Sequence, residues 1–220
     1  MSQIVPAFLV QSLEEFETKL RLVEPYTNLI QVDVLDGSLF GQTNWFDAEQ
    51  IGLLKTDVEM ELHLMVKNPL PIIETWNKHV PSFKRAIIHA EIDRPVGAMV
   101  DQIKDKLGLE VAVAVNPETP LSAIENVLHT IDQLTIMGVH PGKSGQQFLG
   151  QSVLDKIAEA RRHRKDLVIE MDGGLTDELI EPLTNIGASR LCAASLIFKD
   201  PDPTAKLQAL TERLTSLNAN

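Results

Sequence analysis

Four short strings in this sequence carry residues able to hold a cation or move a proton: Gln31-Val32-Asp33, His63-Leu64-Met65, His89-Ala90-Glu91 and Glu170-Met171-Asp172. In an extended chain residues two apart share a face, so Gln31 looks the same way as Asp33, and Glu170 the same way as Asp172. If Asp33, His63 and Asp172 converge, two carboxylates and an imidazole meet on one divalent ion, a donor mix suited to Zn²⁺, Mn²⁺ or Fe²⁺. Either aspartate alone serves equally well as a cap on the turn after it; three such residues on three strand ends are harder to explain that way. A second group is rich in glycine: Gly142-Lys143-Ser144-Gly145, Gly173-Gly174 and, beside them in type, Ala194-Ser195. Glycine lets backbone N–H groups approach an anion closely, so these loops suit a phosphate. Together the two groups point to a small phosphorylated substrate with its reacting carbons at the metal.

Something must bring these strings together. Short apolar or β-branched runs recur at 3–8, 28–34, 58–65, 84–89, 109–115, 133–139, 167–171 and 189–193, each followed by helical spacing. That alternation predicts βα units around a parallel sheet. The run Val111-Ala112-Val113-Ala114-Val115 is apolar throughout, as in a strand covered on both faces. Helix starts are expected at Ser12 with Glu15, at Ser152 with Asp155, and where Thr119 and Asp202 precede proline. No linker divides the chain, so residues 1–220 are expected to form one (β/α)8 TIM barrel, with an open doubly wound sheet as the alternative. In a barrel of this kind function gathers at the C-terminal strand ends, and phosphate at the loops after the last strands.

Composition removes other classes. With 20 Lys and Arg against 31 Asp and Glu the formal charge is −11, which argues against nucleic acid as a partner. No apolar run suggests a membrane span. With one cysteine, no leader pattern and ordinary globular proportions, a reducing cytoplasm is the expected location; a homo-oligomer is left open. Cys192 is expected to be a buried strand residue, and the basic run Arg161-Arg162-His163-Arg164-Lys165 a solvated helix end. His79, His129 and His163 are expected on the surface.

The strings Asp33-Val34-Leu35-Asp36-Gly37, His63-Leu64-Met65-Val66, His89-Ala90-Glu91, Asn116-Pro117-Glu118-Thr119-Pro120, Pro141-Gly142 with Gly145-Gln146, and Glu170-Met171-Asp172-Gly173-Gly174 resemble, in order, the ribulose-phosphate 3-epimerases. The resemblance spans Val5 to Phe198. It implies a metal-assisted 1,1-proton transfer between D-ribulose 5-phosphate and D-xylulose 5-phosphate. Asp33 and Asp172 would be the acid and base and also metal ligands, with His63 a third ligand. Met65 and Met137 would line the pocket, and Gly142, Gly145, Gln146, Gly173, Gly174, Ala194 and Ser195 would meet the phosphate. His89 and Glu91 would orient the site.

The departures cluster around the substrate. Gln31 stands where the family has a fourth metal-ligating histidine. Its amide offers only a neutral oxygen, which suits Mg²⁺ or Mn²⁺ better than Zn²⁺. The implied cofactor is one divalent ion among Zn, Mn, Fe and Mg. Ala7 replaces a serine, and the family's Gly-Phe-Gly-Gly-Gln reads Gly142-Lys143-Ser144-Gly145-Gln146. Ala194 replaces a glycine, a change that is unfavourable if the backbone needs positive φ there. Two alternatives remain: action on another ketose phosphate, such as a hexulose 6-phosphate, and a barrel that binds a sugar phosphate without turning it over. The Asp-x-Lys-x-x-Asp run of an orotidine-phosphate type decarboxylase is missing, and Lys67 and Lys143 sit in loops, where a Schiff-base lysine is not expected.

Overall fold

A computed structural model of the chain describes residues 2–143 and 145–218. Eight strands, β1 (Gln3–Phe8), β2 (Leu29–Val34), β3 (Glu59–Leu64), β4 (Phe83–His89), β5 (Glu110–Val115), β6 (Gln133–Met137), β7 (Val168–Asp172) and β8 (Arg190–Ala193), pair in sequence order. All pairs are parallel, and β8 closes on β1 with Gln3 opposite Arg190 and Pro6 opposite Ala193. Closure decides for the (β/α)8 barrel against the open sheet.

Two faces of each strand do different work. Outward residues such as Val32, Val34, Val111 and Val113 pack against the apolar stripes of α1 (Leu13–Val23), α3 (Leu70–His79), α5 (Gln151–His163) and α8 (Pro203–Asn218) in one continuous core. Inward positions carry small residues in two patches, Ala7 and Cys192 with Val5 and Leu29, and Ala112 and Ala114 with Ile87. An eight-stranded barrel has a fixed interior volume, and these small side chains leave room for the buried Gln31, Glu61, His63, Arg85, His89, Gln133 and Glu170.

The N-terminal end of the barrel is closed by charge. Arg85 Nη1 donates to Glu61 Oε2 at 2.6 Å, Arg190 Nη1 lies 3.4 Å from the same oxygen, and Arg85 also pairs with Glu110. Burial and the adjacent Glu61 hold the Glu170 carboxyl well above the usual range, and the Thr135 hydroxyl donates to its Oε1 at 2.9 Å. Glu61, Glu170 and Cys192 approach one another closely, but the guanidinium groups already neutralise Glu61, and a further cation there would be repelled.

The helix starts are partly as expected. Ser12 Oγ accepts from Glu15 N at 3.2 Å while Glu15 Oε2 accepts from Gln11 N at 2.8 Å, and Asp202 Oδ1 accepts from Ala205 N at 3.0 Å just ahead of Pro203. Ser12→Ala should therefore lower the unfolding free energy by about 1 kcal/mol, read as a lower urea midpoint at unchanged slope. Two starts differ. Helix α5 is entered through Gly150 at φ 82, which leaves Ser152 inside the helix and Asp155 accepting from Gln151 Nε2 at 2.9 Å. Thr119 gives its hydroxyl to Glu91, and Pro120 stays extended, so β5 is followed only by a 3-10 turn, Leu121–Ile124. After β2 comes a loop over residues 35–47 and the single turn α2 (Ala48–Ile51). The remaining α-helices among the described residues are α4 (Val96–Asp101), continued by a π-helical stretch over Gln102–Lys106, α6 (Ile180–Ile186), preceded by a 3-10 turn at Asp177–Leu179, and α7 (Ser195–Phe198). The basic run is not simply solvated. Arg161 donates to the carbonyls of Lys165, Leu167 and Gly187, and Arg164 to those of Leu128 and Ile131, tying α5 to neighbouring loops. Among the described residues no helix is long and apolar enough to cross a membrane.

Candidate functional site

Three strand ends, two of them neighbours and the third reaching in from across the barrel, place the acidic group. Asp33 ends the inward face of β2, His63 that of β3 and Asp172 that of β7. His63 Nδ1 is 2.9 Å from Asp172 Oδ2 and 3.5 Å from Asp33 Oδ1, and one ligand atom from each of the three lies within 4.8 Å of the others. Asn44 secures Asp33 from outside: its Nδ2 donates to Asp33 O at 2.8 Å and its Oδ1 accepts from Leu35 N at 2.7 Å. No motif pointed to Asn44.

Gln31 lies one layer deeper and is fully buried. Its Nε2 donates to Asp33 Oδ1 at 2.9 Å and to Asp172 Oδ2 at 3.0 Å, and is 3.5 Å from His63 Nδ1. Its Oε1 accepts from the Cys192 thiol at 3.1 Å. The side chain therefore shows Asp33, Asp172 and His63 a donor, not the acceptor oxygen a cation would use. Cys192 is the buried strand residue expected, but it also lines the cavity. Its position two residues before Ala194 on the inner face was the available signal.

The electrostatics follow from this crowding. Burial opposes charge on His63, yet its bonds to Asp172 and Asp33 outweigh that and raise its pKa to about 10. Burial, with the neighbouring carboxylate of Asp172, raises Asp33, whereas Asp172, although equally enclosed, is lowered by its closer bond to His63. His63 Nε2 and His89 Nε2 are 2.9 Å apart, and His89 Nδ1 is 3.0 Å from Glu91 Oε2. Burial lowers His89 to about 4. A charged His63 thus donates to Asp172 and to neutral His89, which donates onward to Glu91. Glu91 Oε1 in turn accepts from Asn116 N at 2.9 Å and from the Thr119 hydroxyl. His89 and Glu91 thus stand in line behind His63. Glu91→Gln should reduce kcat/KM by about tenfold, the low end for a group that orients a ligand, with an unchanged far-ultraviolet circular dichroism spectrum.

Above this floor opens a cavity lined by Asp33, His63, Met65, Met137, Gly142, Lys143, Gly145, Asp172, Gly173, Gly174, Ala194 and Ser195. Gln146 is not on that lining: its amide donates to His140 O at 2.6 Å and Lys143 O at 2.9 Å, bracing the loop after β6. Gly173 and Gly174 take φ 98 and 74, and a Cβ on Gly173 would lie 2.4 Å from Val139 Cγ2. Only glycine lets the β7 loop lie this close to the β6 loop. Ala194 adopts φ −98, so its methyl group carries none of the strain that a positive φ would impose. Ser144, at the centre of the β6 loop, lies outside the described residues.

The sequence matches the model described as the Ribulose-phosphate 3 epimerase family over residues 3–198. The ribulose-phosphate 3-epimerase of Bacillus subtilis (strain 168) is 30% identical, with 92% of this chain and 94% of that protein covered. That of Aquifex aeolicus (strain VF5) is 31% identical, covering 86% and 84%. Among solved structures, 3-hexulose-6-phosphate synthase from Salmonella typhimurium superposes with a TM-score of 0.74 at 14% identity, covering 98% of this chain and 99% of that one. Orotidine 5'-monophosphate decarboxylase from Sulfolobus solfataricus gives 0.67 at 15% identity, covering 99% of each chain. At such identities the likeness is one of fold.

Proposed function

The chain belongs to the ribulose-phosphate 3 epimerase family, and from that premise we propose that it interconverts D-ribulose 5-phosphate and D-xylulose 5-phosphate with Asp33 and Asp172 as acid and base. It is an isomerase of the epimerase type. The observation that carries the residue assignment is the approach of two carboxylates, from β2 and β7, to one point at the floor of a cavity with glycine loops on its rim. Inverting C3 requires a proton to leave on one side and return on the other. Two carboxylates reaching in from separate strands can do both, one taking the proton while its counterpart gives one.

The donor chemistry fits a divalent ion, which Asp33, His63 and Asp172 would hold. Gln31 could contribute its Oε1 as a fourth ligand only if the amide turned over. Bound there, such an ion would polarise the substrate carbonyl and make the neighbouring proton easier to remove. The chain's own residues do the rest: His63 fixes the rotamer of Asp172, Gln31 spaces the two carboxylates, and Met65 and Met137 keep water from the reacting carbons. The family's metal dependence and the cluster support one divalent ion; its identity, and Mg²⁺ or Mn²⁺ over Zn²⁺, belong to this proposal.

The test is deuterium uptake at C3 of ribulose 5-phosphate in D₂O, followed by proton NMR, with Mg²⁺, Mn²⁺, Zn²⁺ or Fe²⁺ supplied in turn. Uptake accompanied by xylulose 5-phosphate is expected. Absence of exchange with all four ions would overturn the assignment.

A further inference from the structure

Lys199, just beyond α7, is the residue that neither the sequence motifs nor the proposed reaction uses. A Cβ added to Gly145 would lie 2.9 Å from its Nζ and 3.9 Å from Ser195 Cβ. The ammonium group therefore sits over the loop after β6, beside the loop after β8, at the rim that Gly145 and Ser195 give to the cavity. Other lysines near carboxylates are paired, among them Lys19 with Glu15, Lys104 with Asp132 and Lys206 with Asp177. Among the described residues no carboxylate pairs with Lys199. Its acidic neighbours in sequence are engaged elsewhere: Asp200 Oδ1 accepts from Asp202 N, and Asp202 Oδ1 from Ala205 N, each at 3.0 Å.

An unpaired ammonium on the rim of a cavity, in a chain of net charge −11, has a clear electrostatic use. We infer that Lys199 is the side-chain cation that receives the substrate's phosphate, assisted by Lys143 on the cavity lining. This rests on the reading of the ligand as a sugar phosphate and deepens it. The phosphate would be gripped by charge as well as by the backbone N–H groups of the glycine loops. Lys143 stands in a position where the family string has phenylalanine, so the two lysines make this pole more cationic than the glycine loops alone would. A phosphate monoester dianion is the ligand such a pair would favour over a neutral sugar.

The experiment measures inorganic phosphate binding by calorimetry, and kcat and KM for ribulose 5-phosphate, in wild type, Lys199→Ala, Lys199→Arg and Lys165→Ala. The last removes the same charge from an exposed site beyond the C-terminus of α5. Lys199→Ala should weaken phosphate binding and raise KM by about tenfold, the scale of one charge-assisted hydrogen bond, with kcat nearly unchanged. Lys199→Arg should restore most of the loss, Lys165→Ala should behave as wild type, and the wild-type advantage should shrink at high salt. Equal phosphate affinity in wild type and Lys199→Ala would overturn the inference. Turnover by wild type with equal affinities would reject Lys199 alone. Weakened phosphate binding in a wild type background that turns over no ribulose 5-phosphate would uphold Lys199 and reject the reaction.

Discussion

Asp172→Asn is expected to lower epimerisation of ribulose 5-phosphate by about 10³ to 10⁴-fold, the upper range for loss of a positioned acid or base. Asparagine has the same shape and can still accept from Gln31 Nε2 and His63 Nδ1, which now lie 3.0 and 2.9 Å away. Packing should therefore survive, and the loss should appear in kcat, not in KM for the phosphate-bearing substrate. Asp33→Asn should cause a loss of the same order, because inversion needs both sides. The variants differ in a second readout. Asp172 makes the closer contact with His63 and is the first of the charges that raise it to about 10. In the metal-free protein a group raised from 6.5 stabilises the fold fully below that value, and the contribution is lost as pH rises toward 10. Asp172→Asn should flatten that alkaline decline in stability more than Asp33→Asn does. Retention of activity within tenfold in either variant would remove that aspartate from the reaction.

The barrel is legible in the sequence because its eight units recur without interruption, and β5, apolar throughout, reads as a strand covered on both faces. Val111-Ala112-Val113-Ala114-Val115 alternates in size, not polarity: its valines face the helices and its alanines the interior. Polarity patterns cannot report an inward face that is itself apolar. The second and fifth units were misjudged for a related reason. Asn44 and Thr119 act on a strand end and on Glu91, contacts that exist only once the barrel has closed. In the site, the alternation of Gln31 with Asp33 and of Glu170 with Asp172 placed all four inward, and Asp33, His63 and Asp172 do converge. The spacing could not show that the Gln146 amide is taken up by the backbone of its own loop, nor that Lys199, a residue of no motif, lies beside Gly145. Such placements depend on where loops rest against each other, which no local pattern encodes.

Gln31 is where sequence and geometry together make the sharper demand. Its amide nitrogen lies 2.9, 3.0 and 3.5 Å from the three groups that would hold a cation, bridging carboxylates that would otherwise repel. Offering Oε1 instead requires a half turn of the amide, which gives up two hydrogen bonds to charged groups and the one from Cys192. Each charged bond is worth about 1.5–3 kcal/mol, so this glutamine opposes a cation until the cation's own attraction exceeds that cost. Gln31→His removes the opposition and supplies an imidazole. Zn²⁺ affinity should rise by about 10 to 100-fold, the range through which neighbouring groups tune metal sites, with a much smaller change for Mg²⁺, which prefers oxygen. Competition against a chromophoric chelator measures both. In wild type and variant alike the apparent affinity should increase with pH across the neutral range, because His63 must give up its Nδ1 proton to ligate and holds that proton up to about 10. Equal Zn²⁺ affinities for wild type and Gln31→His would mean that the amide already turns freely, and that the bridge it makes between Asp33 and Asp172 does not govern the site.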